Sequence, residues 1–449
     1  MMNWEQLLSE KRLGKNDDST DKKQNKARSD FERDYDRMVF SAPFRRLQNK
    51  TQVFPLPGNI FVHNRLTHSL EVSCLGRSLG NIVSHTLMER HPHKVFPSSS
   101  AISSIVSAAC LAHDMGNPPF GHSGERAIGA YFREGNGKQW KEAVIREGGR
   151  WEDFIHFEGN ANALRLLTHR FLGRSPGGYG LTYSTLASIV KYPHSSLRAA
   201  DYGGKFGFFA TEEKTMQEIA REVGLIQKNK PDTPLHFARY PLVYLVEAAD
   251  DICYQIMDLE DAYKLHIISF ETIQELTLNF FEEKKRDKLL KVMREIEDTN
   301  EKVAYLRSKA INLLVEETAA VFLDNEETIL AGNFSGPLIE HCSPRTLEAY
   351  KACSKLAYSQ IYRSREVVDV ELAGHRIFQS LMDKMMDALS HPDYAYSKAV
   401  LNRVSSQYDT GRPDTYGKIQ CTLDFVSGMT DIYALDLYRR ITGMNLPAI

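Results

Sequence analysis

Two groups of histidines and carboxylates in this sequence have the types and spacing needed for hydrolytic chemistry. His68 in RLTHS, the adjacent His113 and Asp114 in LAHDMGNPPFGHSGE, and Asp250 in EAADDICYQ supply two imidazoles and two carboxylates. That donor set suits a single divalent ion of borderline hardness. On an octahedral ion it leaves about two positions open for oxygen donors. Past the pair stands His122, followed three positions later by Glu125, the spacing of an imidazole and its orienting carboxylate. Such an ion polarises a phosphoryl oxygen and lowers the pKa of water, so the residues imply metal-assisted phosphoester hydrolysis.

Other residues fit the same chemistry. Arg65, three positions before His68, and the neighbours Lys191 and Tyr192 offer cations and a hydroxyl to a polyphosphate. Asp250, Tyr254 and Asp258 recur every four residues and so share one stripe of a helix. Each also has an ordinary reading. A lone histidine on an apolar face is usually a hydrogen-bonded core residue, Asp250 could pair with a buried arginine, and Arg65, Lys191 and Tyr192 could be solvated. The combination favours the site.

The elements that must position these groups read as helices. Leu70, Leu75, Leu79, Ile82, Val83 and Leu87 have helical spacing over 66–90 and place His68 near a helix start. Ile102, Ile105, Val106 and Ala109 form a stripe that His113 continues, which points it inward. Gly116, Pro118 and Pro119 stop that helix, and HSGERAIGAYF restarts one with His122 and Glu125 on a common face. Pro241 opens a long helix, LVYLVEAADDICYQIMDLEDA, so apolar over 242–249 that it must be buried. Upstream, the arginine- and aromatic-rich stretch from Phe31 reads as a helix followed by a turning piece at Pro55 and Pro57. Further helices follow Phe270, with little strand-like alternation. The glycine-rich PGGYG and YGGKFGFF lack the order of a nucleotide P-loop.

At 449 residues the chain exceeds the size over which one core keeps growing. We expect a polar N-terminal arm over 1–30, with local disorder from about Gly14 to Asp30, a catalytic core over 31–269, and a helical C-terminal lobe over 270–449 packed on it. A formal charge of −2 gives no global attraction to nucleic acid or membrane, so a polyanion must be met locally. Absent a long apolar run or a secretory leader, a cytoplasmic protein is expected, with its six cysteines as buried reduced thiols.

The strings NRLTHSLEV, HDMGNPPFGHSGE, HFEGNA, KYP, EAADDICYQIMDLEDA and FVSGMTDIYALDLYRRITG resemble the HD-domain deoxynucleoside triphosphate triphosphohydrolases of the bacterial deoxyguanosine triphosphatase type, across essentially the whole chain. The resemblance implies an all-α HD fold with additional N- and C-terminal helices. It puts the metal ligands on His68, His113, Asp114 and Asp250 and the catalytic dyad on His122 and Glu125. Water would attack the α-phosphorus and release a deoxynucleoside and intact triphosphate, while His122 handles the proton of either the water or the departing 5′ oxygen. Arg65, Asn160, Lys191, Tyr192 and Lys205 would meet the phosphates; Gln52, Tyr254 and Asp258 would hold the sugar. The implied ion is manganese or magnesium, with iron a further option. The implied partners are a dNTP, dGTP favoured, further copies of the chain up to a hexamer, and single-stranded DNA as an effector, with no membrane. Asn117 stands where many relatives carry histidine, and Glu371 is a C-terminal candidate for completing the site. Two competing readings are an HD phosphohydrolase of other nucleotides and a non-catalytic sensor of nucleotides or single strands.

Overall fold

The computed structural model describes residues 1–15, 28–53 and 62–444. Residues 16–27 of the N-terminal arm and the turn at Pro55 and Pro57 lie outside the described residues, while Trp4, Leu7 and Leu8 at the start of the arm are apolar and buried in the core rather than part of a polar extension. Helix α1 (Asp30–Val39) starts at a capping box in which the Ser29 hydroxyl accepts from the Glu32 amide and the Glu32 carboxylate accepts from the Ser29 amide. Helix α2 (Arg65–Arg90) starts where the Asn64 side chain accepts from the amides of Leu66 and Thr67. Helix α3 (Ala101–Ala112) is buried almost all round.

Only part of the evenly spaced apolar set of α2 turns inward: Leu79, Val83 and Leu87 are buried. Leu70 and Ile82 point outward, at 39% and 38% exposure. The buried face is His68, Ser69, Val72, Ser73, Gly76, Leu79, Gly80, Val83 and Leu87. The reason is the closeness of α3. A Cβ on Gly76 would come within 2.5 Å of Cys110 Sγ, and one on Gly80 within 2.5 Å of the Ser103 Cα. Small residues let the two backbones approach, and leucine spacing alone does not reveal them. Cys74 also departs from expectation: it lies on the outer face and is exposed, while the other five cysteines are buried and free.

Helices α4 (Gly121–Arg133), α5 (Gly159–Thr168), α6 (Tyr183–Ile189) and α7 (Val243–Lys264) complete the site's surroundings. They are followed by α8 (Thr299–Asp324), α9 (Pro344–Leu356), α10 (Arg365–Ser390), α11 (Thr415–Ser427) and α12 (Asp431–Ile441). Among the described residues there are isolated bridges, such as His194 with His236, and no strand, so the fold is all-α.

Two apolar clusters organise the helices. One joins α2, α3, α7 and α8 through residues such as Val72, Ile105, Ile252 and Leu314. The other joins α4 to α10, α11 and α12 through Ile128, Phe132, Phe378, Met382, Leu423 and Leu437. The C-terminal helices therefore supply the core on which the helix of His122 rests. Between the clusters Arg165, on α5, is buried and donates to both oxygens of Asp424 and to Glu212. No described helix is long and apolar enough to cross a membrane.

Candidate active site

The first turn of α2, the end of α3 and the middle of α7 meet at one point. His68 Nε2 lies 3.1 Å from Asp250 Oδ1. His113, the C-cap of α3, brings its Nε2 to 3.4 Å from the same oxygen and 3.7 Å from Asp114 Oδ1. Its Nδ1 donates to the Cys110 carbonyl at 2.6 Å, which fixes the ring and leaves Nε2 facing the carboxylates. In the neutral ring that atom is a lone pair, buried and without a hydrogen-bond partner. Ligand-capable atoms of His68, His113 and Asp114 all lie within 4.8 Å of one another.

Electrostatics give this arrangement an appetite for positive charge. Burial works against a protonated His113, yet Asp114 and Asp250 outweigh it and lift its pKa to about 9. Asp250 is held well below the usual carboxylate range: burial opposes this, but His113 and His68 prevail. Burial likewise opposes ionisation of Asp114, and the Arg65 guanidinium at 2.6 Å brings it down to about 2. Two imidazoles and two carboxylates around an unpartnered nitrogen fit a divalent ion.

A backbone contact positions the pair. A Cβ on Gly116 would stand 2.1 Å from the Gly159 carbonyl and 2.2 Å from the Ala163 amide, so only glycine lets the chain leave α3 against α5. Asn117 donates its side-chain amide to Asp114 Oδ1. The turn then passes through Phe120 and Gly121, both left-handed at φ 62° and 56°.

His122 begins α4 with its side chain 65% exposed, and its Nδ1 donates to Glu125 Oε2 at 2.8 Å. That hydrogen bond and the carboxylate's charge raise the imidazole's pKa. Glu125 is buried, and its other oxygen accepts from the Gly159 amide at 2.8 Å. Burial opposes its ionised form, but His122 and Lys205 keep its pKa below the usual value.

A cavity of about 260 Å³ is lined by His113, Asp114 and Asp250, by His122, and by Asn160, Lys191, Tyr192 and Lys205. The structure thus brings three of the four metal-binding candidates, His122 of the dyad and four of the five expected phosphate contacts to a common space, with His68 and Glu125 buried behind it. The fifth, Arg65, is buried beside it. Lys191 pairs with Glu247 at 3.3 Å, and Lys205 with Glu158 at 2.7 Å.

The three residues assigned to the sugar are absent from the lining of that cavity. Gln52 keeps its Oε1 buried and unpartnered. Tyr254 stacks on Tyr362, with ring centroids 5.7 Å apart. Tyr362 donates to Asp258 Oδ2 at 2.6 Å. Burial above all pushes the pKa of Asp258 up to about 8.

Sequence reasoning missed Tyr362, which precedes α10 in the C-terminal half and carries no local signal. It also missed Glu158, whose carboxylate holds both Asn160 and Lys205. The only hint of Glu158 is its place in HFEGNA. Glu371 pairs with Arg126 at 2.5 Å on the outer side of α4.

Comparison with known proteins places the chain in a family. The HD domain family matches residues 65–226, which carry three of the four candidate ligands, and the phosphohydrolase-associated domain matches residues 341–440. The fold and the His-Asp pair thus define an HD-domain hydrolase. A deoxyguanosinetriphosphate triphosphohydrolase-like protein of Pseudomonas aeruginosa is 36% identical over the full length of both chains. One from Synechocystis is 38% identical over 99% of this chain and 100% of its own. The deoxyguanosinetriphosphate triphosphohydrolase of Yersinia enterocolitica is 31% identical over 92% of this chain and 93% of its own. The chain belongs to the family of deoxyguanosinetriphosphate triphosphohydrolases and related proteins within the HD superfamily.

Proposed function

We propose that this protein hydrolyses deoxynucleoside triphosphates at the α-phosphorus, dGTP in preference, to a deoxynucleoside and triphosphate. The observation that carries the reading is the shared cavity, where three candidate metal ligands (His113, Asp114 and Asp250), His122 and two lysines converge. Residues 31–269 form the catalytic core in this proposal, and residues 270–449 a lobe that supports it.

One manganese or magnesium ion would be held by His68, His113, Asp114 and Asp250. When bound, such an ion polarises the phosphoryl oxygen and lowers the pKa of the attacking water. The remaining work falls to the side chains. Lys191, Lys205, Tyr192, Asn160 and Arg65 neutralise and orient the three phosphates. Gln52, Tyr254 and Asp258 hold the deoxyribose, with Asp258 placed by Tyr362. Glu125 fixes the Nδ1 proton of His122, which leaves Nε2 to exchange a proton with the reacting groups. Water contributes its oxygen to the α-phosphorus, the bond from that phosphorus to the 5′ oxygen breaks, and the 5′ oxygen leaves protonated.

The test is chromatographic analysis of products from each of the four dNTPs with Mn²⁺ and with a chelated control. Deoxynucleoside plus triphosphate, fastest from dGTP and absent with chelator, is expected. Formation of dGDP and phosphate would contradict attack at the α-phosphorus.

A further inference from the structure

Asp431, the first residue of α12, is buried and accepts two backbone hydrogen bonds from distant parts of the chain. Its Oδ2 takes the Thr51 amide at 2.8 Å, across 380 positions of sequence. Its Oδ1 takes the Phe120 amide at 3.0 Å, across 311 positions. Each donor adjoins a group the proposed reaction uses: Thr51 precedes Gln52, and Phe120 stands at the left-handed turn that delivers His122.

The same junction is gripped from other sides. Lys50, also buried, donates its ammonium to the carbonyls of Asn117 and Ser427, tying the turn after the His-Asp pair to the end of α11. The ring of Phe120 stands edge-on to Phe378, with centroids 6.0 Å apart. Beneath that ring lies Gly374, where a Cβ would sit only 3.0 Å from it. A non-glycine residue with positive φ persists only where its surroundings over-determine it. Here the surroundings are α10 and α12.

We propose that Asp431 is a positioning residue for the hydrolytic reaction. By holding the Thr51 and Phe120 amides on one rigid carboxylate, it fixes the His122–Glu125 dyad relative to the sugar-side arm that carries Gln52. The proposal rests on the hydrolase reading above. The candidate metal ligands belong to α2, to the end of α3 and to α7, and neither of these two bonds ends on any of them, so the proposal separates the placing of the dyad from the binding of the ion.

Asp431→Asn tests this, because the isosteric amide turns an N–H toward one of the two backbone donors and releases that arm. Measured per bound Mn²⁺, kcat on dGTP should fall about tenfold or more, since small displacements of reacting groups are costly. The Mn²⁺ dissociation constant of the nucleotide-free protein should stay within about threefold. A kcat within about twofold of wild type overturns the proposal, as does parallel loss of metal binding and turnover, which marks a merely structural role. Gly374→Ala provides a second variant that keeps a helix-compatible residue. Its added methyl presses on Phe120 and should lower kcat with Mn²⁺ binding intact; unchanged kcat there also counts against the proposal. Wild-type protein that releases no triphosphate from dGTP instead removes the hydrolase reading, and the proposal with it.

Discussion

At the residue scale, holding the ion and moving the proton fall to different side chains. His122→Ala removes the imidazole but none of the candidate ligands, so kcat should drop by about 10²–10⁴ while Mn²⁺ still binds, as read by steady-state kinetics and metal titration. Loss of metal binding in that variant would mean the dyad and the ion site are not separable. His113 gives a pH dependence with a definite sign. Its pKa is raised from 6.5 to about 9 in the folded, metal-free chain, so the folded state binds the extra proton. The stabilisation is full below 6.5 and is lost as pH rises through 9. Thermal melting of the metal-free protein should therefore fall across that window, and Mn²⁺ should flatten the curve by replacing the proton. Flat metal-free melting would contradict the environment described for His113. These residues were legible in the sequence because side-chain chemistry is local: a histidine beside an aspartate before a proline stop announces itself. Tyr362 was not, because only the folded chain carries it across to Asp258.

At the element scale, glycine does the positioning. Gly80→Ala places a methyl where the Ser103 backbone already stands, and overpacking of this kind costs about 1–3 kcal/mol. Chemical denaturation should show that loss; an unchanged midpoint would mean that α2 and α3 are free to separate. The helices themselves were readable from apolar spacing and from the stops at Gly116, Pro118 and Pro119, since both follow from backbone geometry. The inward face of α2 was readable only in part, at Leu79, Val83 and Leu87. Leucine spacing assumes that large residues seek the interior, whereas a close helix pair buries serine and glycine and leaves Leu70 and Ile82 outside.

At the scale of the whole molecule, the C-terminal helices form part of the foundation under the helix of His122. Arg165 joins α5 to Asp424 on α11 and to Glu212 in a buried ion cluster. Removing one partner of such a cluster leaves uncompensated buried charge, so Arg165→Ala should cost about 3–5 kcal/mol in a denaturant titration. A loss below about 1 kcal/mol would show that the two apolar clusters hold together without it. These long-range ties are invisible to any window of sequence, because Arg165 and Asp424 become neighbours only after folding.

The central claim is that the cavity presents the α-phosphorus to water beside His122 and the ion-binding cluster. Hydrolysis of dGTP in ¹⁸O-water tests it most directly. Attack at the α-phosphorus leaves one heavy oxygen in the released triphosphate and none in the deoxyguanosine. Heavy oxygen in the 5′ hydroxyl, or in inorganic phosphate accompanied by dGDP, would contradict it.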